Sequence, residues 1–245
     1  MIPAVLWTYW ESQLGHKNYP FIEYCLSTFK RSGCEVVVLR PENVCAYLDG
    51  LLNINWFKIN NIAEKVDCIR IALLYKYGGF WCDADTVILK LFDNLIKMSG
   101  SVFMRWKGTN TLLNGYFFSE PGSLFLKHVL NQINDILQND PRDNYVGLGG
   151  GCHLGQHRIN MAANDGMPYS EIPLSTFIPY EFPGDQQCWH RDDNIIKYIT
   201  PETVAVGLNL SQYNYNFRLK SMAEHRESQT LFGSIIRYSD ALGGL

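Results

Sequence analysis

The chain has 245 residues, 47% of them hydrophobic, enough for one buried core and one domain of ordinary size. A net charge of −3 leaves no basic footprint for nucleic acid, and no apolar run approaches the ~20 residues that a membrane-spanning helix needs. The seven cysteines (Cys25, Cys34, Cys45, Cys68, Cys82, Cys152 and Cys188) are odd in number and form no Cys-x-x-Cys. They read as reduced, mostly buried thiols of a cytoplasmic protein, not as a disulfide framework or zinc site.

From the N-terminus, residues 3–8 form the first expected strand, ending in the aromatics Trp7, Tyr9 and Trp10. No basic leader or small-residue cleavage site precedes it, so neither a signal peptide nor a membrane anchor is expected. Phe21 to Arg31 has helical spacing, and Gly33 stops it. The β-branched run Glu35 to Leu39 reads as a buried parallel strand, which makes a strand–helix–strand unit within forty residues. A second helix is expected over Asn60 to Tyr77, then a short aromatic strand, then strand again over Thr86 to Leu89. Further strands are expected at Ser101 to Trp106 and Asn114 to Ser119, and a helix at Ser123 to Leu137. Asp140 to Pro183, rich in Gly, Pro and polar residues, reads as long active-site loops, and Thr203 to Leu208 as a last strand. Alternating strands and helices imply an α/β sheet whose ligands sit at the carboxyl ends of strands.

The chemistry concentrates in Asp67 to Lys90, DCIRIALLYKYGGFWCDADTVILK. Gly78 and Gly79 permit a sharp turn after the helix, and Asp83 and Asp85 follow the aromatic segment. On extended chain, carboxylates at i and i+2 point the same way. Such a pair can share a hard divalent cation, and that cation can hold a pyrophosphate. Asp67 and Arg70, three apart, share a helix face. A bare Asp-x-Asp carries little information; the ordered series Asp67, Arg70, Leu73, Leu74, Tyr77, Gly78, Gly79, Trp81, Asp83, Asp85 carries much more.

That series resembles the Asp-x-Asp region of glycosyltransferases with the GT-A fold, including the capsular polysaccharide synthesis proteins, glycosyltransferase family 32 and the clostridial glucosylating toxins. The resemblance covers residues 1–120 well and the rest loosely. It implies a single GT-A domain over 1–245, a Rossmann-like, mostly parallel twisted sheet flanked by helices. Residues 1–120 would form the donor half, and 121–245 the acceptor half with its loops. It implies transfer of a sugar from a nucleotide diphosphate sugar, UDP first and GDP as the alternative, to a carbohydrate acceptor, with retention and a divalent metal. In its terms Asp85 binds Mn²⁺ or Mg²⁺ directly, and Asp83 reaches the metal through water or binds the ribose. Asp67 and Arg70 bind donor-sugar hydroxyls, Trp7 stacks on the base, and Trp81 and Asn114 lie against the donor. Where one branch has a metal-binding histidine this chain has Gly207. Either Asn209 and Ser211 complete the metal shell, as an Asn-x-Ser does in the toxin branch, or the metal is held weakly. The same tripeptide fits a glycosylation sequon, read as coincidence.

Other features are weaker. His153 and His157 have zinc-like spacing, but the glycines around them make a helix poor. GLGGGC at 147–152 imitates a dinucleotide loop without its strand–helix setting. Asp185 and His190 read as polar loop residues. Two alternatives stand beside the transferase: a metal-dependent nucleotide-sugar hydrolase using Asp83 and Asp85, and a non-catalytic carbohydrate-binding module, to which the 13% aromatic content points. No catalytic base is assigned.

Overall fold

A computed structural model describes residues 1–11, 19–145, 153–180, 192–208 and 219–243. In chain order its elements are β1 (Val5–Tyr9), α1 (Pro20–Thr28), β2 (Glu35–Leu39), α2 (Val44–Leu48), α3 (Ile62–Tyr77), β3 (Gly79–Cys82) and β4 (Thr86–Ile88). They continue with β5 (Ser101–Phe103), β6 (Tyr116–Ser119), α4 (Leu124–Asn139), α5 (Gln156–Asn164), β7 (Ser170–Glu171), β8 (Ala205–Gly207), α6 (Met222–Glu227) and α7 (Leu231–Ala241). Short 3-10 turns lie between them, one of which, Phe29–Ser32, extends α1 up to Gly33, the left-handed stop at φ 75°.

The chain forms two compact units, each assembled from three separate stretches. The first comprises Met1–Glu11, Glu35–Cys82 and Asp93–Pro173. It holds a six-stranded sheet in the order β2-β1-β3-β6-β5-β7. Three pairings are parallel (β1 with β2, β1 with β3, β5 with β7) and two antiparallel (β3 with β6, β5 with β6). Val5 pairs Glu35 and Leu6 pairs Phe80, so β1 lies between β2 and β3. On this sheet α3 and α4 bury a shared core including Leu73, Phe117, Phe125, Val129 and Ile133. Asn61 caps α3 by accepting from the Glu64 amide (3.2 Å), and Ser123 caps α4 from Leu126 (3.4 Å). Gly78 (φ 66°) and Gly79 (φ 99°) turn the chain from α3 into β3. At Gly79 a Cβ would stand 2.5 Å from the Val5 carbonyl, so only glycine lets β3 approach β1 here.

The second unit comprises Ser12–Cys34, Asp83–Phe92 and Leu174–Leu245. Its two-stranded sheet pairs β4 with β8 antiparallel. Thr28 on α1 accepts the Ile88 amide through its hydroxyl (2.9 Å). Arg31 donates to the Ser239 hydroxyl (2.7 Å) and carbonyl (3.0 Å) on α7 and to the Ile88 carbonyl (3.2 Å), joining the three stretches.

One expectation is corrected, and two helices were not foreseen. Residues 140–183 are not all loop, since α5 and β7 lie within them; α5 buries only Ile159 and Ala162, too few for a visible stripe. The C-terminal α6 and α7 went unanticipated although Ser221 and Glu224 form a capping box and Leu231, Phe232, Ile235 and Ile236 are a buried stripe. Among the described residues no helix is long and apolar enough to cross a membrane.

Candidate active site

In the first unit the site grows from α3. Glu64, Asp67 and Arg70 stand three apart and so occupy one face. All three are buried, Asp67 to 1% and Arg70 to 5% exposure. The Asp67 Oδ1 accepts from the Asn114 amide Nδ2 (2.9 Å) and lies 3.5 Å from the Arg70 Nη2. Arg70 donates through Nη1 to the Asn114 backbone carbonyl and through Nε to the Val66 carbonyl (3.4 Å). Its guanidinium sits 5.1 Å over the Trp81 ring, which is 1% exposed. The β3–β6 ladder pairs Trp81 with Phe117 and Cys82 with Tyr116, which sets Asn114 just ahead of the partner strand. Four residues from three stretches of the sequence thus form one network. An ion pair this deep costs desolvation, and removing one partner strands the other at about 3–5 kcal/mol.

Trp7 lies mid-strand, not at the carboxyl end where the sequence reading placed it, because β1 runs on to Tyr9 and the Trp10 amide continues the ladder to Leu39 (3.0 Å). Trp7 is 4% exposed, donates from its indole to the Gly78 carbonyl (2.8 Å), and packs on Tyr47 and Tyr77. The half-exposed ring past the end of β1 is Trp10. Sequence reasoning passed over it, though its place at the strand's end was a visible signal.

Glu64 was missed too; its signal is its place three residues before Asp67. It lies at 0% exposure, and its two carboxylate oxygens accept the amides of His153 (2.9 Å) and Leu154 (3.0 Å). Burial pushes its pKa up, and the two amide hydrogen bonds pull it back. His153 precedes α5 and His157 lies in its first turn, with the two rings stacked at 5.5 Å. Arg158 reaches the His153 ring nitrogen at 3.0 Å. Desolvation first, then Arg158 and His153, holds the His157 pKa below its ordinary value.

In the second unit, Asp83 to Asp85 do not continue as extended chain. They form a turn ahead of β4, closed by the Thr86 hydroxyl donating to the Asp83 carbonyl (2.5 Å). The same-side geometry of an extended i, i+2 pair therefore does not apply. Asp85 is 9% exposed and Asp83 half-buried. The Asp85 carbonyl accepts the Leu208 amide (3.0 Å), so this turn runs beside the end of β8, one residue before Asn209. Asn209, Ser211, Asp185, His190 and the segment 147–152 lie outside the described residues.

Residues 1–126 match the family model described as capsular polysaccharide synthesis protein. Toxin A of Clostridium novyi is 34% identical over 97 residues, an alignment covering 32% of this chain and 4% of the toxin. The chain therefore spans only a small fraction of that relative's length. Among solved structures, the PaToxG glycosyltransferase superposes with a TM-score of 0.52 at 15% identity, over 68% of this chain and 70% of that one. This likeness shows a shared fold, the GT-A-like α/β fold of glycosyltransferases. The family match takes in β1, the whole of the Asp67 network, and the Asp83–Asp85 turn. With 126 of its 245 residues so matched, the chain belongs to the capsular polysaccharide synthesis protein family.

Proposed function

We propose that the protein is a glycosyltransferase that moves a sugar from a nucleoside diphosphate donor, a UDP-sugar, to a carbohydrate acceptor with retention at the anomeric carbon. The observation that carries the reading is the Asp67–Arg70–Asn114 network, a polar cluster held inside an apolar unit and within the family-matched stretch. Asp67 offers a carboxylate acceptor to donor-sugar hydroxyls, Arg70 offers N–H donors, and Asn114 ties the two together. Trp81 acts through Arg70 by fixing its plane. Trp10 is the ring for the base in this reading; Trp7, three positions earlier, is a core residue packed on Tyr47 and Tyr77.

A divalent cation fits the acidic turn in its donor chemistry. Asp85 and Asp83 are hard oxygen donors suited to Mn²⁺ or Mg²⁺. Asn209 and Ser211 offer oxygens of the same hard kind and are the further ligands in this reading. Among the described residues no three His, Cys, Asp or Glu side chains stand together as a metal cluster. The bound cation would neutralise charge on the diphosphate leaving group. The chain's own share is orientation: Asp67 and Arg70 hold the sugar so that its anomeric carbon meets the acceptor hydroxyl.

Calorimetry with UDP and UDP-sugars, with and without Mn²⁺, tests the assignment. Asp85→Ala should lose the Mn²⁺-dependent part of UDP affinity. Arg70→Ala should weaken the intact UDP-sugar about tenfold or more and leave UDP little changed, since hydrogen bonds to charged groups contribute about 1.5–3 kcal/mol. A wild-type protein that binds no nucleotide sugar, UDP- or GDP-linked, would overturn the reading.

A further inference from the structure

We infer that Glu64 and Gly155 are positioning residues for the Asp67 carboxylate, and through it for the sugar of the donor; the second half rests on the function proposed above. Glu64 takes two consecutive main-chain amides, His153 on Oε1 and Leu154 on Oε2. One buried carboxylate thereby fixes the chain that leads into α5. The next residue is Gly155, the N-cap of that helix, at φ −103° and ψ −92°. Space alone rules out a side chain at this position. A Cβ at Gly155 would stand 2.2 Å from both Cγ and Oδ2 of Asp67 and 2.7 Å from its Cβ.

The Asp67 carboxylate is therefore held from two directions. Its Oδ1 is set by Asn114 and Arg70, and its Oδ2 side is walled by the bare α-carbon of Gly155. Glu64 acts only through this wall: it stands one helical turn from Asp67 on the same face of α3 and pins the main chain that forms the wall. A sugar-binding carboxylate gains from such restraint, because a group already in its bound rotamer loses little entropy when the ligand arrives.

The contact and its purpose are tested separately. A double-mutant cycle in urea addresses the contact. Gly155→Ala should lower the unfolding midpoint in the wild-type background and leave it unchanged or raised in an Asp67→Ala background, where the added methyl has room. Equal losses in both backgrounds overturn the contact. For the purpose, calorimetry compares UDP with the UDP-sugar bound most tightly among UDP-glucose, UDP-galactose and UDP-N-acetylglucosamine. Gly155→Ala, and the milder Glu64→Gln, which turns an N–H donor against a main-chain amide, should weaken the UDP-sugar tenfold or more while UDP stays within twofold. Loss of both ligands together, or of neither, overturns the positioning role. If the wild type binds none of the three sugars, the functional reading fails, and the urea cycle still decides the contact.

Discussion

Trp7 and Trp10 show what a residue's register does to its role. Trp7 lies on the first strand and Trp10 just past its end, and the family resemblance alone favours Trp7 for the base. The structure turns Trp7 into the core with Tyr47 and Tyr77 and leaves Trp10 half-exposed past the strand's end. Trp7→Ala should cost about 3–5 kcal/mol of stability, as large aromatic truncations in a core do, read from urea unfolding. Trp10→Ala should spare stability and weaken UDP by roughly 1–3 kcal/mol if the base stacks there. Unchanged UDP affinity in a folded Trp10 variant removes that ring from the site. Asp67, Arg70 and Trp81 stood out in the sequence because an ordered motif carries them; the contact of Asn114 with Asp67 and Arg70 did not, because it joins residues more than forty apart. Glu64 and Gly155 did not, because their importance lies in a contact between α3 and a segment about ninety residues on. The shape of the Asp83–Asp85 turn was also hidden, since a hydrogen bond from Thr86 decides it.

Among elements, α3 announced itself by its cap, its length and its glycine stop, and β2 by its β-branched run. The short helices α5 and α6 gave weak signals, while α7 had a clear apolar stripe that was passed over. The packing of α6 has a pH consequence. His225 is 1% exposed, with its ring against Phe21 on α1 (6.2 Å) and Phe232 on α7 (4.6 Å). Desolvation, then Lys220, lowers its pKa from 6.5 to about 4, against a smaller opposing pull from Glu224. Above pH 6.5 the imidazole is neutral folded or unfolded, and its full contribution to stability is present. As pH falls from 6.5 towards 4 the unfolded chain takes up a proton that the folded chain refuses, so stability drops and then levels off below the folded pKa. The drop should be on the order of 3 kcal/mol, measured as the urea midpoint against pH. His225→Leu should flatten that window; an unchanged slope would assign the acid sensitivity elsewhere.

At the scale of the molecule, an α/β sheet with helices was readable from alternation, whereas the mixed pairing of β6 and the division into interleaved units were not, since neither leaves a local pattern. The family-matched stretch ends at residue 126. A fragment 1–126 should nonetheless fail to fold. It lacks Val129, Leu130, Ile133 and Leu137 of α4, all of α5, and β7, the partner of β5. Circular dichroism should show no cooperative melt; a sharp transition would make that fragment an autonomous domain.

The interleaving of the two units also bears on how the chain is made. Synthesis delivers residues in order, at about 5–20 per second. The first unit is complete only when Pro173 has been added, and two stretches of the second are made before their own partners exist. Arg31 waits long, since its bonds to Ser239 span 208 residues, and Tyr24 waits longer, since its bond to Asp240 spans 216. A ribosome that stalls anywhere before α7 therefore releases a chain in which α1 and β4 lack the helix that Arg31 ties to them. Such truncated products expose apolar surface and strand edges to chaperones and proteases, so quality control of this protein acts on almost every incomplete length.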